Sequence, residues 1–156
     1  MSEVKVHPMA AADLEAVIAI AESLDTAPHW PRAAYETAFD PAAIPQRIAL
    51  VAEVSGAIAG FAIASLIPPQ AELETIAVSR PFQRRRAGSA LLSVLLHELE
   101  SCGIKEITLE VRASNFAAQA FYSAHSFLGS SRRKGYYSDM GEDAVVMRAI
   151  LPLPQK

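Results

Sequence analysis

Val4, Val6 and Pro8 alternate with polar residues, which predicts a short first strand. Leu14, Val17, Ile18 and Ala21 then recur at helical spacing behind Asp13, a residue able to cap a helix. Thr26–Pro31 reads as a loop, with Pro31 suited to the first turn of a second helix running to about Phe39. The apolar runs Ile48–Val54 and Ile58–Ile67 flank Ser55-Gly56 and predict a hairpin, with Gly60 as a candidate bulge. Pro68-Pro69 breaks the chain before a strand over about Leu73–Val78. Leu91, Leu92, Val94, Leu95, Leu96 and Leu99 mark a long apolar helix that stops at Gly103, with Ile104 placed for the hydrophobic contact of that stop.

Ile107, Leu109 and Val111 alternate with Thr108, Glu110 and Arg112, so this strand presents two chemically distinct faces. Ser114 or Asn115 caps a short helix to about Ala124, and Phe127–Arg133 and Ala144–Leu151 read as the last two strands. The predicted order is β-α-α-β-β-β-α-β-α-β-β. Hairpins interrupted by two late crossover helices imply an α/β architecture, a mixed sheet with helices on both faces. The strands around Leu73–Val78 and Ile107–Val111 should run parallel, because a full helix joins them.

Composition narrows the class. The chain has 156 residues, 51% of them apolar, which fits a single domain over residues 1–156 with a substantial core. Leu14–Ala21 is too short to span a membrane, and Ala49–Pro68 is interrupted by Glu53, Ser55 and Gly56. No basic stretch followed by an apolar core begins the chain, Cys102 is the only cysteine, and the four histidines lack metal-ligand spacing. A reduced, cytoplasmic, metal-free protein is expected. The net charge of −3 gives no general attraction to nucleic acid, although cations cluster at Arg84–Arg86 and Arg132–Lys134.

The first of these clusters is the most suggestive chemistry. Gln83-Arg84-Arg85-Arg86-Ala87-Gly88-Ser89 runs directly into the long helix. Unpaired N–H groups and the positive end of the macrodipole there favour a phosphate or pyrophosphate. Glu110 on the next strand, and Asn115 and Tyr122 seven apart on the next helix, complete a constellation. Taken singly, each has a plainer reading. Glu110 could pair a neighbouring arginine, Asn115 could only cap, and Tyr122 could only pack. Arg132–Lys134 reads equally as a solvated strand end or a site for an acidic partner, and Trp30 as core or as a substrate wall.

Thr75-Ile76-Ala77-Val78, Gln83 to Leu92, Leu109 to Asn115 and Ala120-Phe121-Tyr122 together resemble the GNAT superfamily of acetyl-CoA-dependent N-acetyltransferases. Arg132-Arg133, Tyr136-Tyr137, Glu142-Asp143-Ala144 and Met147 resemble one bacterial branch, the ribosomal-protein-alanine N-acetyltransferases of the RimI type. The resemblance implies a mostly antiparallel sheet of about seven strands, with a splayed parallel pair at the coenzyme site. It implies that Ile76, Ala77 and Val78 bind the pantetheine arm through their backbone and that Arg84, Arg85, Arg86, Ala87, Gly88 and Ser89 hold the pyrophosphate. Asn115 would contact the coenzyme from the other side. Glu110 would be the general base, and Tyr122 the acid for the departing thiolate.

Two positions depart from that pattern. Arg86 stands where the first loop glycine belongs, at a strain of about 1 kcal/mol if its φ is positive, against about 1.5–3 kcal/mol from a charge-assisted hydrogen bond. Ser126 replaces the glycine before Phe127, with little expected consequence.

The implied activity is Nα-acetylation of a protein N-terminus, with acetyl-CoA as co-substrate and the N-terminal alanine of ribosomal protein S18 as substrate. Trp30, Glu74 and Tyr137 are expected to border the peptide, with Glu74 receiving a cationic second residue. A monomer or weak dimer is expected. The alternatives are a lysine or small-molecule amine acetyltransferase on the same scaffold and a catalytically idle acyl-CoA-binding module.

Overall fold

The computed structural model describes residues 3–83, 86–137 and 141–154. Its elements follow the predicted order: β1 (Val4–Pro8), α1 (Leu14–Ser23), α2 (Arg32–Ala38), β2 (Gln46–Val54), β3 (Ala57–Ile67), β4 (Gln70–Val78), α3 (Ala87–Ser101), β5 (Glu106–Arg112), α4 (Phe116–Ala124), β6 (Leu128–Tyr137) and β7 (Glu142–Ile150). They form one seven-stranded sheet in the order β1-β2-β3-β4-β5-β7-β6. Its β4–β5 pair is parallel and every other pair is antiparallel. Among the described residues no helix is long and apolar enough to cross a membrane.

Each sheet face has its own core. On one, Leu91, Leu92, Leu95, Leu96 and Leu99 of α3 are buried against Leu50, Ala62, Ala64, Ile107 and Leu109. Removing each leucine from water contributes about 1.5–3 kcal/mol. On the other face, Val17, Ile20 and Ala21 of α1 and Tyr35 of α2 pack on Val51, Phe61 and Ile63.

The ends of α3 obey local rules. At its C-terminus Gly103 has φ +80°, the Ile104 N–H donates to Leu99 O and the Gly103 N–H to Glu100 O, the paired bonds of a Schellman stop. At its N-terminus Arg86 has φ +66°, so the loop position expected to favour glycine does adopt the left-handed conformation.

Two bulges set the geometry around the site. In β3 the register shifts beside Gly60, where an added Cβ would lie 2.6 Å from Ala77 O, so the close passage of β4 requires glycine. In β4, Thr75 pairs with Ile63 and Leu73 with Ala64, leaving Glu74 as the extra residue. The bulge inverts the strand: Ala71 and Leu73 face the α3 core, but beyond Glu74 it is Ile76 and Val78 that do so, while Ala77 faces α1.

Several predicted boundaries need correction. The first helical turn starts at Ala11, and Asp13 accepts the Ala10 N–H at 2.9 Å instead of capping α1. α2 begins after Pro31, and β4 already begins at Gln70. The parallel pairing lies earlier than predicted, at residues 70–72 against 106–108, because the Glu74 bulge turns β4 away from β5.

Candidate active site

The departure of β4 from β5 opens a cleft. Beyond the Glu72–Thr108 pair, neither residues 73–78 of β4 nor residues 109–112 of β5 has a strand partner across the gap. Ile76, Ala77 and Val78 thus have no strand partner on the β5 side, an edge of the kind to which an extended chain can add. The N-terminus of α3 stands at one end of this edge, and Ala87, Gly88 and Ser89 form its first turn. A Cβ on Gly88 would meet the Phe121 ring at 3.4 Å, an ordinary van der Waals contact, so α3 passes close to α4 here. Arg84 and Arg85 lie outside the described residues. Gln83 donates to Val78 O at 3.0 Å, which ties the loop back to the strand end.

On β5, the burial of Ile107, Leu109 and Val111 against α3 sends Thr108, Glu110 and Arg112 to the opposite face. There Glu72 stands near both Glu110 and Glu74. The Glu72 carboxyl is held above its usual range, first by partial desolvation and then by the charges of Glu110 and Glu74, with Arg133 opposing. Glu110 is 18% exposed, and its Oε1 lies 3.3 Å from Arg133 Nε. The Tyr136 hydroxyl also bonds Glu110, the largest cause of that phenol's raised pKa. Glu110 thus meets two groups from β6 that the sequence reading did not assign.

Tyr122 lies on the other face of the sheet, packed with Phe121 against the α3 core. Burial, aided by Tyr137, pushes its phenol up to about 12. Its helix begins at Asn115, whose Oδ1 accepts the Ala118 N–H at 3.1 Å, so the cap is formed as expected. The helix ends with the Phe127 N–H donating to Tyr122 O and the Ser126 N–H to Ser123 O, and Ser126 has φ +70°. This corrects the expectation that serine here has little consequence: the position is left-handed, where a Cβ costs about 1 kcal/mol. The same stop fixes Tyr122, whose ring lies 5.7 Å from that of Phe127. Tyr137 lies close enough to raise Tyr122 and is itself raised by burial and then by Glu110.

The three expected peptide residues divide into two places. Trp30 and Glu74 line one pocket of about 260 Å³ with Pro31, Ala34, Thr37 and Arg47, whereas Tyr137 is not in that lining. The Glu74 carboxylate is already engaged, by Arg47 Nε at 2.6 Å and Nη2 at 3.4 Å. Glu74 is therefore half of a partly buried ion pair, not the free carboxylate expected for a cationic residue. Trp30 is stacked at 5.2 Å on Tyr35, anchoring the loop to the α1–α2 core. Among the described residues no group of three or more His, Cys, Asp or Glu is arranged to hold a metal ion.

The site thus combines a mixed sheet split along its one parallel pair, a helix N-terminus at the gap and carboxylates on one face. Residues 15–127 match the acetyltransferase (GNAT) family, and the chain belongs to that family. It is 43% identical over 95 residues to the [ribosomal protein bS18]-alanine N-acetyltransferase of Escherichia coli K12, a match covering 60% of this chain and 64% of that protein. The alignment thus spans just under two thirds of that relative. A putative enzyme of the same name from Bacillus subtilis is 31% identical over 98 residues, covering 63% of this chain and 65% of that one. The crystal structure of the E. coli ribosomal-protein-S18-alanine N-acetyltransferase superposes with a TM-score of 0.84 at 30% identity, covering 99% of this chain and 97% of that one.

Proposed function

We propose that the protein transfers the acetyl group of acetyl-CoA to the α-amine of a protein N-terminus, with the N-terminal alanine of ribosomal protein bS18 as its substrate. The observations that support this reading are Glu110, a partly buried carboxylate on the β5 face away from α3, and Tyr122, a tyrosine kept protonated by burial against the α3 core. The substrate assignment is supported by the name of the E. coli relative at 43% identity.

In this reading acetyl-CoA lies in the cleft, its pantetheine arm along the free edge of Ile76–Val78 and its pyrophosphate at the α3 N-terminus. Arg84–Ser89 and Asn115 contact it there. The peptide enters from the α1–α2 face, bordered by Trp30, Glu74 and Tyr137. An α-amine has a reference pKa of about 7.7–8.0, against about 10.4 for lysine, so forming the neutral nucleophile costs roughly 3.4 kcal/mol less. Glu110 takes the ammonium proton, directly or through a water. The amine nitrogen then forms the new C–N bond to the thioester carbon as the C–S bond breaks, and the second proton that the nitrogen sheds passes to solvent or to the released thiolate. Tyr122 donates a hydrogen bond to the departing sulfur.

The test is a panel of peptides with free N-terminal Ala, Ser or Met, each compared with an N-blocked, lysine-containing version. Acetylation of the free Ala peptide alone is expected. Activity only on the blocked peptides would replace this reading with lysine or small-molecule chemistry.

A further inference from the structure

A polar chain outside the proposed chemistry joins the start of α4 to the β6–β7 hairpin. Glu142, the first residue of β7, accepts the Ser114 N–H through Oε2 at 2.8 Å and meets Arg112 Nη1 through Oε1 at 3.3 Å. The Arg112 guanidinium in turn lies over the Tyr137 ring, 4.1 Å from its centroid. Tyr137 and Glu142 are paired residues at the turn end of the hairpin, so the chain closes into a loop: Ser114, Glu142, Arg112, Tyr137 and back to Glu142. Further bonds brace the same segment. Gln119 donates to Arg112 O at 3.1 Å and to Ala113 O at 3.0 Å, and the Ala113 N–H donates to Asp143 O at 3.0 Å. The Arg112 and Glu142 side chains are 36% and 20% exposed.

The arrangement is specific to arginine. A guanidinium can present its plane to an aromatic face while its edge donates to a carboxylate; an ammonium has no such plane. Ser114 immediately precedes the Asn115 cap of α4, the helix that carries Tyr122. The loop therefore fixes the start of that helix and the Tyr137 ring with respect to one another.

We propose that Arg112 and Glu142 are positioning residues: their ion pair sets the Tyr137 ring against the acceptor peptide and ties it to α4. The proposal rests on the reading of Tyr137 as a peptide-bordering residue. A cation–π contact at a partly exposed site corresponds to about a two- to fivefold effect. Arg112→Lys and Glu142→Gln should therefore each raise the peptide KM by about that factor, with the acetyl-CoA KM unchanged.

Combined with Tyr137→Leu, either substitution should add nothing beyond the effect of Tyr137→Leu alone. Arg148→Gln, which breaks the pair with Glu106 at the far end of the same strands, is the control and should leave both KM values unchanged. Denaturant midpoints of the variants check that each remains folded at the assay temperature. Full additivity of Arg112→Lys with Tyr137→Leu would overturn the positioning role alone. So would an equal rise in both KM values, which marks general loosening. Tyr137→Leu without effect on peptide KM would overturn the acceptor role of Tyr137, and this proposal with it.

Discussion

Tyr122→Phe removes one hydroxyl and leaves the packed ring in place. With its pKa pushed up to about 12, the phenol stays protonated throughout any working pH range and acts only as a donor. Complete proton transfer to a thiolate of reference pKa about 8.5 would be uphill by roughly 3.5 units, or about 4.8 kcal/mol. In the proposed mechanism the hydroxyl would therefore act by hydrogen bonding the developing sulfur anion, a charge-assisted bond of about 1.5–3 kcal/mol. Its loss should lower kcat by roughly 10- to 150-fold across pH 7–10, with acetyl-CoA affinity nearly unchanged. Steady-state rates and a calorimetric titration measure the two quantities.

The same pKa predicts a stability effect. The unfolded phenol, at 10.0, loses its proton before the folded one, at about 12, so above pH 10 the folded state binds more protons. The contribution is intact below pH 10 and falls by about 2.7 kcal/mol as pH rises through 12. Denaturant unfolding of wild type should lose that much more than Tyr122→Phe over the interval. An unchanged kcat, or an ionisation limb near pH 10 that the substitution removes, would refute the reasoning.

Glu110→Gln should lower turnover most near neutral pH and recover partly in alkali, where the amine deprotonates without help; a flat loss across pH would place the base elsewhere. Ser126→Gly should raise stability by about 1 kcal/mol, since φ is +70° there, read as a higher denaturant midpoint with kcat unchanged. Arg86→Gly relieves the same kind of strain at φ +66° and should likewise stabilise the fold, but weaken acetyl-CoA binding measured at low salt. Glu74→Gln leaves the Arg47 guanidinium without its carboxylate in a half-buried pocket. It should raise KM for Ala-Arg and Ala-Ala peptides alike; a penalty confined to Ala-Arg would restore the direct reading of the second residue by Glu74.

What was legible in the sequence was what local rules decide. Gly103 followed by Ile104 announces the end of α3 because both bonds of the stop fall within six residues. The alternation around Glu110 assigns its face because strand period is intrinsic. The point at which β4 leaves β5 was not legible, because it depends on the extra residue at Glu74, which only pairing with β3 reveals. Arg133 and Tyr136 were missed for a similar reason. The β6–β7 register is irregular between Arg133 and Tyr137, so simple alternation cannot say which side chains reach Glu110. The Arg47–Glu74 pair joins residues 27 apart in sequence, on β2 and β4, and appears only when the β2–β3–β4 meander is formed.

The most direct test of the central claim uses bS18 carrying a free N-terminal alanine, incubated with this protein and acetyl-CoA and then fragmented in a mass spectrometer. A single acetyl group on the alanine nitrogen, lost in Glu110→Gln at neutral pH, is the predicted result. Unmodified alanine, or acetyl groups confined to lysine side chains, would contradict it.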